Sequence, residues 1–178
     1  MKKINVIDLK PNSNVICLDE KFEYDKNYVY YYILDFNAKF FLGIEEDDFQ
    51  LDGFQIRRVN DIKKVETKMD ACTLINRKQE ILKNVKKPAI NLGSWQTVFE
   101  SLERLGCFLI IENQFKEEFH IGRILKAKKK SVLFQEFDAD GTWQNADEIQ
   151  YDDITSVTFK DRYSSVWQKY LKHQENKK

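Results

Sequence analysis

Apolar positions in the second half of the chain follow helix and strand spacing in turn. After Ser94, helical spacing is kept by Trp95, Val98, Phe99, Leu102 and Leu105, and Gly106 then predicts the end of that helix. Strand patterns follow over residues 107–112, 119–127, 131–137 and 154–159, with another short strand at Ile149 and Tyr151. Asp161 then predicts a last helix, whose core-facing side would carry Tyr163, Val166, Trp167, Tyr170 and Leu171.

The first half follows a similar plan. Its strand patterns cover residues 15–18, 28–34, 39–44, 54–57 and 62–67, and Asp70 precedes a helix bearing Leu74, Ile75, Ile81 and Leu82. The segment 84–93 contains Pro88 and Gly93, which favour a linker. We therefore expect two domains. Residues 1–88 would form the first, with a C-terminal helix, and residues 89–178 the second, with N- and C-terminal helices.

Short sequence repeats support this division. Asp61-Ile62 followed by Val65 recurs 92 residues later as Asp153-Ile154 followed by Val157. Asp52-Gly53 corresponds to Asp140-Gly141 at a spacing of 88, which requires a four-residue difference in loop length. The repeat predicts two superimposable copies, with Gly53 matched to Gly141 and both isoleucines buried.

Five short antiparallel strands in each half indicate a mainly β (α+β) fold of two tandem small five-stranded, partly open antiparallel barrels, each with a flanking helix. The second half has a glycine-bearing second strand, Phe119-His120-Ile121-Gly122-Arg123-Ile124, and a third strand ending in Phe137-Asp138. This order resembles the Sm-like small-barrel fold, in the arrangement of tandem-barrel proteins of Gram-positive bacteria. The family's RNA-binding residues have no counterparts here, because Ala139-Asp140-Gly141 and Asp153-Ile154-Thr155 occupy the corresponding loops.

Composition narrows the classes of function. The chain of 178 residues has 29 Lys+Arg, 29 Asp+Glu and 24 aromatic residues. This composition is typical of a globular protein. The six glycines are too few for the phosphate-binding turns of most nucleotide folds. No apolar run is long enough to span a bilayer, and Ile4–Leu9 is interrupted by polar residues, so we expect a cytoplasmic protein.

Residues suited to catalysis or to metal binding are scarce. There are two histidines and three cysteines, Cys17, Cys72 and Cys107, which are far apart and form no C-x-x-C motif. We expect the thiols to be reduced and packed in the core. We also expect no catalytic site, no cofactor and no bound metal. The acidic run from Glu45 to Asp52 offers oxygen ligands for a divalent cation, but its spacing matches no calcium loop and favours a solvated loop.

Basic residues cluster at one predicted hairpin tip. A nucleic-acid contact there would use Arg123, Lys126, Lys128, Lys129 and Lys130, and Lys83, Lys86 and Lys87 would extend the patch. The balanced total charge argues against a nucleic-acid specialist. Lysine at a hairpin tip also protects a sheet edge from pairing with another chain.

Three tyrosines share one face of the second predicted strand: Tyr28, Tyr30 and Tyr32. Such a row can stack on bases, form a protein interface or pack inside the domain. The favoured hypothesis is a non-enzymatic binding module for another protein, with no membrane association and an open oligomeric state. The alternatives are RNA or DNA binding through the basic hairpin, a bacterial immunity or adaptor protein with one dedicated partner, and an enzyme of unfamiliar type.

Overall fold

A computed structural model describes residues 14–22, 25–62 and 64–177, with side chains described for residues 29–62 and 65–177. The side chains of Cys17 and Tyr28 lie outside the described part. The chain divides into two compact units, Met1–Pro88 (unit 1) and Ala89–Lys178 (unit 2). Antiparallel strands dominate both units, which confirms the mainly β class.

Unit 1 contains five strands and one helix. They are β1 (Asn14–Phe22), β2 (Asp25–Phe36), β3 (Phe40–Asp47), β4 (Gln50–Arg58), a 3-10 helix (Val59–Asp61), β5 (Lys64–Thr67) and α1 (Ala71–Lys78). The strands are ordered β5-β1-β2-β3-β4, so the last strand pairs with the first.

Unit 2 repeats this order after a leading helix. Its elements are α2 (Trp95–Leu105), β6 (Leu109–Asn113), β7 (Glu118–Ala127), β8 (Ser131–Phe137), β9 (Trp143–Gln150), a 3-10 helix (Tyr151–Asp153), β10 (Ser156–Phe159) and α3 (Arg162–Glu175). Tyr151, predicted to lie in a strand, instead begins the 3-10 helix. The order is β10-β6-β7-β8-β9. Among the described strands, no ladder closes either unit into a barrel, so the two barrels stay a prediction.

The strand pairings of unit 1 recur in unit 2 with the same register shift. The register of β2 against β3 shifts between Ile33 and Asp35, and the register of β7 against β8 shifts 91 residues later, between Ile124 and Lys126. Bulges bend a strand at a fixed place, so this correspondence aligns β2 and β3 with β7 and β8 residue by residue. Ile62 and Ile154 are 8% and 0% exposed, as the repeat predicts.

The matching of Gly53 with Gly141 is wrong. Leu51 pairs with Glu46 in unit 1, and Trp143 pairs with Phe137 in unit 2, so β4 and β9 correspond at a spacing of 92. Gly53 therefore lies within β4 near a register shift, whereas Gly141 lies in the turn between β8 and β9. Both have positive φ angles, 73° and 79°, which explains why two unrelated positions carry the same residue.

All three predicted helix starts are confirmed. The carboxylates of Asp70 and Asp161 accept the backbone N–H groups of Thr73 and Ser164 at 2.9 and 2.8 Å, and Ser94 forms a capping box. Helix α1 is shorter than predicted. It ends at Lys78, and Ile81 and Leu82 lie in the turns that follow, because Glu80 adopts a left-handed conformation with φ of 52°.

The aromatic face of α3 is not core, contrary to the sequence prediction. Tyr163, Val166 and Tyr170 are 55%, 58% and 47% exposed, and Leu171 alone of the predicted set is fully buried. The buried side of the helix instead follows Ser164 and Leu171, with Trp167 packed against the core. Tyr163, Val166 and Tyr170 each precede one of these inward positions and so lie about 100° away around the helix.

Candidate functional site

A buried ion pair lies beneath α1 in unit 1. Lys68 Nζ is 2.5 Å from Glu46 Oε1, and their side chains are 7% and 0% exposed. The same ammonium is 3.6 Å from Asp70 Oδ2 and 4.0 Å from the centre of the Tyr30 ring. Burial is the largest single influence and acts to lower the pKa of Lys68, but the hydrogen bond and charge of Glu46, together with the Asp70 charge, outweigh it and the net pKa is raised. The lysine therefore stays charged.

Cys72 and Asn76 extend this cluster along α1. The thiol of Cys72 and the Nδ2 group of Asn76 both donate to the Asp48 carbonyl at 2.8 Å, and Asn76 Nδ2 is 3.6 Å from Cys72 Sγ. Burial raises the pKa of Cys72, and the Lys68 charge only partly opposes it. The cysteine is therefore held as a thiol.

An open groove adjoins this cluster. Tyr32 of β2 and Asn76 of α1 line it together with the segment after α1, and its volume is about 580 Å³. Sequence reasoning missed the groove and the cluster. Glu46 and Lys68 are 22 residues apart, so the sequence carried no local signal, although the polar inward positions Thr73 and Asn76 marked α1 as unusual.

Unit 2 has apolar side chains at the same positions. At the spacing of 91, Phe137 corresponds to Glu46, Trp167 corresponds to Asn76, and Ile121 corresponds to Tyr30. The rings of Phe137 and Trp167 pack at a centroid distance of 4.9 Å. The two units therefore share a strand order and differ in the chemistry of the face that packs against the last helix.

Arg123 is bound by other side chains of unit 2. Its guanidinium lies 3.9 Å from the centre of the Trp143 ring and donates to Gln135 Oε1 at 3.0 and 2.9 Å. It also bonds to Glu175 at 3.2 Å. These contacts hold the group against the protein rather than presenting it to a phosphate.

The hairpin lysines differ among themselves. Lys128 is paired with Glu148, and that bond, followed by one from Ser131, lowers the pKa of the Glu148 carboxyl. Lys126, Lys129 and Lys130 are exposed. Of the five predicted contact residues, Lys126 near the end of β7 and Lys129 and Lys130 in the turn that follows are thus open to solvent.

The tyrosine row does not form an open platform over its described length. Tyr32 is 2% exposed, and Tyr30 is half-buried beneath Lys68. Tyr32 instead forms part of the groove wall.

His120 and Cys107 of unit 2 have different neighbours. His120 Nδ1 is 2.8 Å from Glu136 Oε1. Burial raises the pKa of Cys107, which lies in a small cavity of about 230 Å³ beside Gln168. Nowhere in the described part of the chain do three His, Cys, Asp or Glu side chains come close enough to hold a metal ion.

Comparison with known proteins gives no relative. No family model matches the chain, and neither a curated protein nor a solved structure matches it. Among the described residues, no helix combines the length and apolar character needed to cross a lipid bilayer. The structure thus defines the class as a mainly β protein with antiparallel ladders.

Proposed function

We propose that the chain is a non-enzymatic module of two tandem, partly open small barrels that binds another protein. In each unit the last strand pairs with the first, and a 3-10 helix precedes the last strand. This repeated order supports the Sm-like architecture expected from the sequence.

The exposed stripe on α3 carries the proposal. Tyr163, Val166 and Tyr170 lie on one side of the helix and are each about half exposed. Single exposed apolar residues are common, but three on one helix face, two of them tyrosine, have the composition of a protein interface. Tyrosine offers a large rigid surface together with a polar hydroxyl.

The surroundings of the stripe indicate the partner's chemistry. Lys169 is exposed beside it, three residues after Val166. An apolar patch rimmed by carboxylates would complement this face, because opposite charges at the rim of an interface orient the encounter.

The described thiols support binding rather than thiol catalysis. The pKa values of Cys72 and Cys107 are raised, which disfavours a reactive thiolate.

The test compares three full-length proteins as immobilised baits in nuclease-treated lysate of the source cells. They are the wild type, an α3 variant (Val166→Asp with Tyr170→Ser) and a control with an exposed phenylalanine changed elsewhere in unit 2 (Phe115→Asp). We expect one protein to bind the wild type and the control in near-equal molar amounts and to be lost from the α3 variant. With that protein purified, the α3 variant should bind at least tenfold more weakly by calorimetry. Identical retention by all three baits would contradict the proposal.

A second candidate function is nucleic-acid binding at Lys126, Lys129 and Lys130, which is favoured by the exposure of all three at or next to the turn between β7 and β8. The affinity for mixed single-stranded RNA, measured by fluorescence anisotropy, should then fall with salt concentration. Three phosphate contacts predict a slope of about −2 for the logarithm of the binding constant against the logarithm of the salt concentration. Changing these three lysines to Ala should abolish binding, and Lys128→Ala should have little effect because Lys128 is paired with Glu148. No binding at low salt would eliminate this alternative.

A further inference from the structure

Unit 1 carries a second exposed apolar surface. In its described part, four large apolar side chains are exposed: Phe49, Met69, Leu74 and Ile75, with exposed fractions of 53%, 62%, 48% and 39%. We call these four residues the α1 patch. Single exposed apolar residues are ordinary, whereas a group of them at one place marks an interaction surface. Aromatic residues and methionine are among the residues enriched at protein interfaces.

Hydrogen bonds hold the turn between β3 and β4 against α1. The carbonyl of Asp48 in this turn accepts bonds from the Cys72 thiol and from Asn76 Nδ2, both at 2.8 Å. Phe49 is the next residue of the turn. These bonds therefore keep the exposed phenylalanine beside the helix.

The other three members of the α1 patch belong to the helix or to its start. The buried positions of α1 are Thr73 and Asn76. Leu74 and Ile75 are each about 100° around the helix from one of these positions and so flank its outward side. Met69 comes two residues before the helix begins. All four exposed side chains therefore border the same helix.

Carboxylates lie along the rim of the α1 patch. Asp47 and Asp48 are exposed beside Phe49, and the Asp70 side chain at the start of α1 is 54% exposed. Lys78 is exposed at the other end of the helix. The rim is thus acidic at the turn and at the start of α1, which is the chemistry that the α3 stripe requires of a partner.

The α3 stripe has the opposite charge at its rim. Lys169 is exposed beside it, and none of the residues three or four positions from Val166 or Tyr170 is acidic. Two α3 stripes in contact would bring cations together, and two α1 patches would bring carboxylates together. An α3 stripe against an α1 patch places opposite charges across the contact instead, and electrostatic complementarity selects that pairing.

We propose that the partner of the α3 stripe is the α1 patch of a second copy of this chain. The proposal rests on the protein-binding function and names the partner. Because the two surfaces differ, a contact between two copies leaves one surface of each kind open for further copies. Contacts of this heterologous type form either a closed ring or an open chain of molecules.

The first test measures the mass of the full-length protein against its concentration by sedimentation equilibrium. The wild type should exceed the mass of one chain as the concentration increases. The α3 variant and an α1 variant (Leu74→Gln with Ile75→Lys) should each keep the mass of one chain. Phe115→Asp, a change outside both surfaces, should associate like the wild type. Melting temperatures near that of the wild type would show that both variants are folded.

A mixture of the two variants tests whether the contact is heterologous. The α3 variant keeps its α1 patch, and the α1 variant keeps its α3 stripe. One molecule of each should therefore form a dimer that cannot grow further. A symmetric contact through α3 would instead allow the α1 variant to associate with itself.

Reversal of one charge tests the rim. Lys169→Glu should weaken association about fivefold, because it removes one attraction and adds a repulsion at an exposed position. Lys172→Glu makes the same change in charge on the same helix, away from the stripe, and should have little effect. Added salt should weaken association of the wild type.

Three results would overturn the proposal. The wild type could keep the mass of one chain at up to about 0.5 mM, although interfaces of ordinary size bind in the micromolar range or more tightly. The two variants could fail to combine, or the α1 variant could associate like the wild type. If a different protein from the source cells is still retained through α3, the protein-binding function stands and this chain is not its partner.

Discussion

Glu46 and Lys68 place two opposite charges in a largely buried position, and each offsets part of the other's loss of hydration. The attraction between buried charges must offset the loss of their hydration, and removal of one partner leaves the second uncompensated. At the position of Glu46, unit 2 has Phe137, so the fold accepts an apolar side chain there.

Lys68→Met alone should therefore lower the free energy of unfolding by about 3 kcal/mol. Glu46→Leu combined with Lys68→Met should cost less than the single change, because no unpaired charge remains. Urea unfolding at pH 7 measures both. Lys68 has a raised pKa in the folded state, so its contribution is complete below the ordinary lysine value and is lost as the pH rises through the folded value. A double variant as unstable as the sum of its single changes would contradict this account.

The two aspartate caps allow a comparison at the scale of elements. Asp161 is 5% exposed and bonds to both the backbone N–H and the hydroxyl of Ser164. The Asp70 side chain is 54% exposed and bonds to the Thr73 N–H and, at longer range, to Lys68. Equivalent caps therefore differ in burial and in what their loss would leave unpaired.

We expect Asp161→Ala to cost about 2 kcal/mol and Asp70→Ala about 1 kcal/mol, the upper and middle parts of the range for N-caps. The Thr73 N–H is the largest cause of the lowered pKa of Asp70. That cap is therefore complete above the ordinary aspartate value and is lost as the pH falls through the folded value. Urea unfolding at pH 7 and pH 3 tests both points. The stability gap between the wild type and Asp70→Ala should shrink at pH 3, and an unchanged gap would be evidence against the cap.

Signals that lie within one element were predictable, and those that depend on the facing element were not. The helix starts at Asp70, Ser94 and Asp161 were predictable because an N-cap side chain bonds to the backbone N–H only three residues later. The outward face of α3 was predicted to be core because its apolar residues have the same helical spacing as the residues of the inward face. Which of two apolar stripes turns inward depends on the sheet beneath. The partners of Asn76 depend on the path of the turn at Asp48, 28 residues earlier.

At the scale of the whole molecule, unit 2 has a hydrophobic core of its own. Phe108, Ile110, Ile121, Phe137 and Leu171 form one core cluster. On the helix α2, Phe99 stacks on Tyr151 at a centroid distance of 5.4 Å.

Residues 89–178 expressed alone should therefore fold. We expect one cooperative thermal transition and a β-rich circular dichroism spectrum, because two-state unfolding is usual for a domain of this size. Tyr151→Ala within the fragment, which removes the stacked ring, should lower the melting temperature. A fragment without a cooperative transition would refute this prediction.

The residue correspondence between the two units suggests how a chain with two similar halves avoids pairing a strand of one half with a strand of the other. In unit 1, Gly43 lies beneath Tyr31, and an added Cβ there would be 3.0 Å from the tyrosine. In unit 2 the sizes are reversed, since Gly122 stands at the position of Tyr31 and Phe134 at that of Gly43. If β2 paired with β8 during folding, Tyr31 and Phe134 would collide, and β7 against β3 would leave two glycines facing a void. Exchange of strands between halves is a known hazard of tandem domains, and this reversal penalises both mistaken pairings.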